Sequence, residues 1–281
     1  MNLIPAYKKN NDLLREMGSL ENDETQYHLW WLGQSGFLLQ WKGKRVIMDP
    51  YLSDSLTKKY AATDKPHVRM SELVINPGMI KNVSILSSSH NHTDHLDADS
   101  IIPILKNNPG IKFIVPEANR NFVAERTKVD ASFLTGIKDG QTVKIGEFSF
   151  HGIPAKHDEI ERDENNNCRY MGFVIEFGRY KIYHSGDTLW FDEMVGLLKP
   201  FALDVAILPI NGNVPERRVQ GNLDCREAAE LGKEIGAKTV IPCHYDMFSF
   251  NSADVNDFIN AAKILNQPFR VLTGGERYSA S

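Results

Sequence analysis

The chain has 281 residues, with 32 Lys and Arg against 36 Asp and Glu and a formal net charge of -4, a balance that gives no general attraction to nucleic acid or to an anionic membrane. Its three cysteines, Cys168, Cys225 and Cys243, are scattered and form no CxxC pair, which argues against a disulfide framework and a thiolate zinc site. The N-terminus lacks the apolar core of a signal peptide, and no apolar run nears the roughly 20 residues of a bilayer span, so a cytoplasmic protein without a membrane segment is expected.

Residues 6–20 set Leu13, Leu14, Met17 and Leu20 between charges, the pattern of a short amphipathic helix, and residues 1–26 read as a helical extension of the body. The β-rich run 27–41, the turn Lys42-Gly43-Lys44 and the run 45–48 predict a hairpin, with His28 at its edge. Asp49 closes it ahead of Pro50. A carboxylate there can hold a metal-ligating histidine in one tautomer, and a turn-forming Asp-Pro is the alternative. Residues 53–80 show little periodicity and read as an active-site loop, on which His67 and Arg69 are candidates to meet substrate.

The densest signal follows the apolar run 83–86. In Ser88-Ser89-His90-Asn91-His92-Thr93-Asp94-His95-Leu96-Asp97, three imidazoles and a carboxylate fall within six positions on one loop leaving a buried strand, the spacing of a metal site. Beyond it, 99–107 reads as a helix, 111–116 as a strand and 117–126 as a helix, the βαβ rhythm of a sheet with helices laid on it. Near residue 140 a second β-rich half begins, with strands at 141–145 and 147–153.

This half supplies further polar strand ends. His157 follows the strand through Ile153, His184 and Asp187 follow Lys181-Ile182-Tyr183, and His244 follows the strand 238–243. The buried run 203–210 leads to Arg217 and Arg218, and 225–235 looks helical. Cys243 and His244 alternate along a strand, so Cys243 is expected in the core. Ligand sites in sheet proteins collect where strand ends face one crevice. Two cations need about three protein ligands each and a carboxylate between them. His90, His92 and His157 can serve one, Asp94, His95 and His244 the other, with Asp187 as the bridge. Nitrogen and oxygen ligands admit zinc, manganese or iron.

The order His90-x-His92-x-Asp94-His95, then His157, Gly186-Asp187 and His244, resembles the metallo-β-lactamase superfamily from Trp30 to Thr273. Trp30-Trp31-Leu32-Gly33, Tyr183-His184-Ser185-Gly186-Asp187 and Val240-Ile241-Pro242-x-His244-x-Asp246 are similar to the L-ascorbate-6-phosphate lactonase group within it. The run from Ser89 to Asp97 also resembles the N-acyl-phosphatidylethanolamine phospholipase D branch. The chain is shorter than the lactonases between the third histidine and the Gly-Asp turn and at its C-terminal end. The resemblance implies an α/β protein, a single domain over residues 1–281 built as a four-layer αββα sandwich with two divalent metals at one edge, and a homo-oligomer.

The expected chemistry is hydrolysis of a small phosphorylated lactone or related ester by a hydroxide that two metals generate from a shared water, with Asp94 orienting it. His184 is a candidate proton donor to the leaving group, with strand packing as the alternative. Arg69, Arg217 and Arg218 are candidates to meet an anionic substrate. Phosphodiester hydrolysis of a lipid or nucleotide is the rival reaction. A regulatory module that binds metal without catalysis is the rival of another class, and the complete ligand set argues against it.

Overall fold

The computed structural model describes residues 2–281. A seven-stranded sheet is built from β1 (Tyr27–Gly33), β2 (Gly36–Trp41), β3 (Lys44–Met48), β4 (Val83–Ser87), β5 (Lys112–Pro116) and β6 (Leu134–Ile137). A six-stranded sheet holds β7 (Thr142–Ile145), β8 (Phe148–Pro154), β9 (Met171–Phe177), β10 (Tyr180–His184), β11 (Val205–Pro209) and β12 (Thr239–Cys243). The last strand, β13 (Arg277–Ala280), returns to the first sheet and pairs antiparallel with β1. Both sheets are mixed. β1 to β3 form an antiparallel meander, and β3 to β6 run parallel.

Helices cover the outer faces. From α1 (Asn10–Ser19), α3 (Ala98–Asn107) and α4 (Arg120–Thr127), the side chains of Leu13, Met17, Ile101, Ile104 and Val123 pack with Trp30, Leu38, Ile47, Leu86 and Phe113 of the first sheet. α2 (Ser55–Lys59) and α5 (Met194–Leu198) are single short turns, and α6 (Cys225–Glu234) and α7 (Val255–Leu265) lie on the second sheet through Ala228, Leu231 and Phe258. Between the sheets, Leu29, Phe37, Val46 and Ile85 face Phe150, Phe173, Ile175 and Ile207 in one cluster. The layers are helix, sheet, sheet, helix, as a sandwich of this class requires. Cys243 lies buried within that cluster, as its alternation with His244 predicts.

Several expectations change. The run 27–41 is a hairpin in itself, because Gly33 (φ +99°) and Gln34 (φ +51°) turn the chain before Gly36, so the first β region has three strands rather than two. Residues 53–80 contain α2 and a 3-10 turn at Pro77–Met79, and isolated bridges tie the segment to residues 4 and 248. The strands β6, β9 and β13 and the helices α5 and α7 lie outside the elements read from the sequence.

Candidate metal centre

Parallel strands leave their C-terminal ends at one edge of a sheet, and this edge collects the polar residues. The loop after β4 carries His90, His92, Asp94 and His95, β3 leads to Asp49, β8 to His157, β10 to Asp187 and β12 to His244. Asp49 (φ +43°) and His244 (φ +64°) both adopt left-handed backbone, a costly conformation for residues with a Cβ that persists where surroundings impose it. Gly186 (φ +59°) needs to be glycine, since a Cβ there would lie 2.6 Å from Ser89 Cβ and 2.9 Å from the Met171 carbonyl oxygen.

The structure brings all seven expected ligands together. His90, His92, His157 and Asp187 form one set and Asp94, His95, Asp187 and His244 a second, with the ligand atoms of each set within 4.8 Å of one another. Asp187 belongs to both. Its Oδ1 lies 2.8 Å from His244 Nε2 and 3.1 Å from His95 Nε2, and its Oδ2 lies 3.5 Å from His157 Nε2.

The rings are aimed by partners behind them. His95 Nδ1 lies 2.6 Å from Asp49 Oδ2, and Asp49 Oδ1 accepts the Ser89 N–H at 2.8 Å. The Ser89 hydroxyl donates to Asp49 and stands 3.0 Å from His90 Nδ1, so one carboxylate orients two imidazoles. His157 Nδ1 donates to the Gly221 carbonyl at 2.8 Å. Each of these three rings thereby turns Nε2 into the cluster, in the tautomer a ligand needs.

His90 Nε2, His95 Nε2, His244 Nε2 and Asp187 Oδ1 are buried, and none has a hydrogen-bond partner among the described residues. The short approaches to Asp187 have ion-pair distance without hydrogen-bond direction. Such groups are costly to bury unless something else engages them, and divalent cations fit nitrogen and oxygen donors converging in this way. The charges agree. Burial, with His95 and His92 adding to it, drives His90 well below the imidazole range, and burial followed by His157 lowers His92 to about 4. Both rings are therefore neutral at pH 7, as ligation requires. Burial also disfavours charge on His95 and Asp187. Asp187 and Asp94 nevertheless hold His95 well above its ordinary range, while His244 and His95 hold Asp187 well below. Facing carboxylates draw positive charge to this point, and a cation answers the same demand as a proton.

A cavity of about 560 Å³ opens over the cluster, lined by His92, Asp94, His157 and Asp187 on one side and by Lys59, Lys65, His67 and Arg218 among others. The remaining expected residues divide. Arg218 reaches the cavity and pairs with Asp64. Arg69 does not line it, because its guanidinium is engaged by Asp54 Oδ1 at 2.6 Å, the Ser53 carbonyl and Met247 Sδ. Arg217 is spent on the Asn211 carbonyl (2.6 Å), Asn251 Oδ1 (3.0 Å) and the Ser252 carbonyl (2.9 Å), so it fastens its loop. His184 is also outside the cavity. Its Nε2 donates to the Ser35 carbonyl at 2.8 Å and its ring packs edge-on to Phe37, which leaves it no path to a leaving group.

Four site residues escape the sequence reading. Gln34 Nε2 donates to Asp94 Oδ2 at 2.9 Å and lies 3.1 Å from His244 Nδ1, so the turn after β1 touches both ends of the second set. Ser89 relays Asp49 to His90. Arg126 donates to the Asn91 and Leu96 carbonyls and holds the ligand loop in shape. Tyr170 packs its ring 5.1 Å from His90 and 5.3 Å from His157. Only Ser89, beside the first histidine, carried any local signal.

Comparison with known proteins agrees with the sandwich and its strand-end cluster. Residues 44–245 match the family described as the Beta-lactamase superfamily domain. An Archaeoglobus fulgidus protein named UPF0173 metal-dependent hydrolase is 30% identical over 254 residues, covering 88% of this chain and 96% of its own. Its counterpart from Caldivirga maquilingensis is 28% identical, covering 87% and 93%. Among solved structures, the metallo hydrolase Igni18 from Ignicoccus hospitalis superposes with a TM-score of 0.66 at 23% identity, covering 92% of this chain and 99% of that one. The isothiocyanate hydrolase from Delia radicum gut bacteria gives 0.72 at 17% identity, covering 90% and 99%. Fold and cluster together define a protein of metallo-β-lactamase type. The chain belongs to the metallo-β-lactamase superfamily, as a metal-dependent hydrolase of the group that includes the UPF0173 proteins. No helix among the described residues is long and apolar enough to cross a membrane.

Proposed function

We propose that His90, His92, His157 and Asp187 hold one divalent cation and Asp94, His95, Asp187 and His244 a second, and that the pair serves hydrolysis of a small lactone or related ester carrying an anionic group. A phosphorylated lactone is the leading candidate, on the lactonase-like motifs at Trp30, Tyr183 and Val240. The observation that carries this reading is the sharing of Asp187 by two compact ligand sets. Zinc, manganese or iron bound there would supply Lewis acidity and bring the pKa of water towards neutrality.

The chain's own groups do the positioning. Asp94 lines the cavity and accepts a hydrogen bond from Gln34, so its carboxylate is placed to orient an attacking water. Asp49 and Ser89 keep His95 and His90 in the ligating tautomer. Lys59, Lys65, Arg126 and Arg218 around the cavity suit an anionic substrate. The same cations favour a second reading, hydrolysis of a small phosphodiester.

The test strips the protein with chelator, reloads it with zinc, manganese or iron, and measures turnover of L-ascorbate 6-phosphate, other sugar lactones and bis-p-nitrophenyl phosphate. Lactone turnover restored by metal supports the first reading. Turnover of the diester alone moves the assignment to the second, and no turnover with any metal contradicts both.

A further inference from the structure

Four of the seven ligands, His92, Asp94, His157 and Asp187, line one side of the cavity, and the rest of its lining has so far been given only a general preference for anions. That remainder is unusual in charge. Asp94 and Asp187 are the cavity's carboxylates and both belong to the ligand sets, whereas Lys59, Lys65, Arg126 and Arg218 are its other ionic groups. Arg126 is turned to the backbone of the ligand loop, and the exposed Asp64 pairs with Arg218. Lys59 and Lys65 make no ion pair among the described residues.

His67 lines the same cavity and is nine-tenths buried. Its ring is boxed by Tyr60, Phe248 and Phe250, with centroids 4.6, 5.2 and 5.4 Å away. Its Nδ1 donates to the Lys65 carbonyl at 2.7 Å. A carbonyl only accepts, so Nδ1 carries the proton, and Nε2, which has no hydrogen-bond partner among the described residues, meets a ligand as an acceptor when the ring is neutral and as a donor only in the imidazolium form. The ring is buried but Nε2 is not sealed from solvent, so on this cavity wall it is open to what the cavity receives.

The wall is also stiff. Thr57 Oγ1 donates to the His67 carbonyl at 2.6 Å, Ser249 N–H to the Val68 carbonyl at 3.0 Å and Met70 N–H to the Met247 carbonyl at 2.8 Å. The first bond braces the segment internally, the other two fix it to the chain that continues from His244, and Lys65 Nζ donates to the Arg218 carbonyl across the two loops. The spacing between this wall and the ligand cluster is thus set by the fold, which is what a site needs to hold a substrate at two points.

We propose that Lys59, Lys65, His67 and Arg218 form a phosphate-binding subsite, which takes a phosphate monoester group on the substrate remote from the bond that is cut. Phosphate fits better than carboxylate because it offers more acceptor oxygens and more negative charge to the Lys59, Lys65 and Arg218 donors, while the P–OH of its monoanion can donate to a neutral His67 Nε2. The cavity volume suits a small sugar phosphate. The assignment rests on the hydrolase reading above for its purpose, and its test does not depend on that reading.

The test is calorimetric binding of inorganic phosphate to chelated, metal-free protein, where no metal ion in the ligand cluster can contribute. Wild type is expected to bind, and Lys65→Ala and His67→Gln to weaken binding by about 10-fold or more, the scale of one charged hydrogen bond. In the metal-loaded protein the same variants should lower the preference, in kcat/KM, for a phosphorylated ester over its unphosphorylated analogue by a similar factor. Unchanged phosphate affinity in both variants would overturn the subsite. Malonate binding as tightly as phosphate would overturn the phosphate assignment in favour of a carboxylate. Phosphate binding in a protein that hydrolyses no ester would leave the subsite standing and remove the hydrolase reading.

Discussion

The Asp49 carboxylate stands 2.6 Å from His95 Nδ1, and through the Ser89 hydroxyl it also reaches His90. One fully buried acid thus sets the tautomer of one ring in each proposed ligand set. Asp49→Asn keeps the shape but places an N–H among groups that all need an acceptor. Metal affinity should fall about 10- to 100-fold, the usual cost of losing a partner behind a ligand. The metal-free fold should lose roughly 1–3 kcal/mol for the buried donor left unmatched. Chelator competition and urea titration measure the two effects separately.

Gly186 is the hinge between β10 and Asp187. Gly186→Ala combines a positive φ with a Cβ 2.9 Å from the Met171 carbonyl oxygen, a backbone atom that cannot swing aside. Strain and overpacking together should cost roughly 2–4 kcal/mol, read as a lowered midpoint in thermal melting. Metal content should drop with it, because Asp187 is carried out of place.

His184→Phe tests whether this buried ring has any part in proton transfer. Its Nε2 serves the Ser35 carbonyl and its ring lies outside the cavity. The expected result is a loss of roughly 1–3 kcal/mol of stability. The dependence of rate on leaving-group pKa should keep its slope. A selective slowing of esters with poor leaving groups would show instead that His184 supplies the proton.

Glu16 of α1 accepts from Lys8, just ahead of the helix, at 2.6 Å and couples the helix to the first sheet through the Trp30 indole at 2.9 Å. Partial burial pushes its carboxyl up, but Lys8 and Trp30 outweigh that and hold it below the ordinary value of 4.5. A carboxyl depressed in the folded state stabilises at pH above its unfolded value and loses that effect as pH falls through the folded one. Wild type should therefore exceed Glu16→Gln in stability near neutrality, and the gap should close below pH 4.5. Urea midpoints across pH 3–7 measure it.

The ligand cluster was legible because its chemistry is contiguous. Four ligands within His90–His95 leave a pattern that few other demands produce, and His157, Asp187 and His244 each end a strand whose apolar run is plain in sequence. The sandwich followed from the same strand ends and the resemblance they carried. Gln34, Arg126 and Tyr170 were not legible, since each acts on residues far along the chain and looks locally like a turn, a helix charge and a loop aromatic. Arg69 and Arg217 mislead for the opposite reason. A guanidinium on a loop reads the same whether it is free or already satisfied by Asp54 or Asn211. β13 was hidden by distance, as the chain must cross the whole second sheet before its last residues pair with β1.

The central claim is that Asp187 joins two cation sites. Metal content per chain, measured on protein purified without chelator and compared with Asp187→Ala, tests it directly. Two equivalents in wild type, with both sites depleted in the variant, is the expected result. Two equivalents retained in Asp187→Ala, or no more than one in fully loaded wild type, would contradict it.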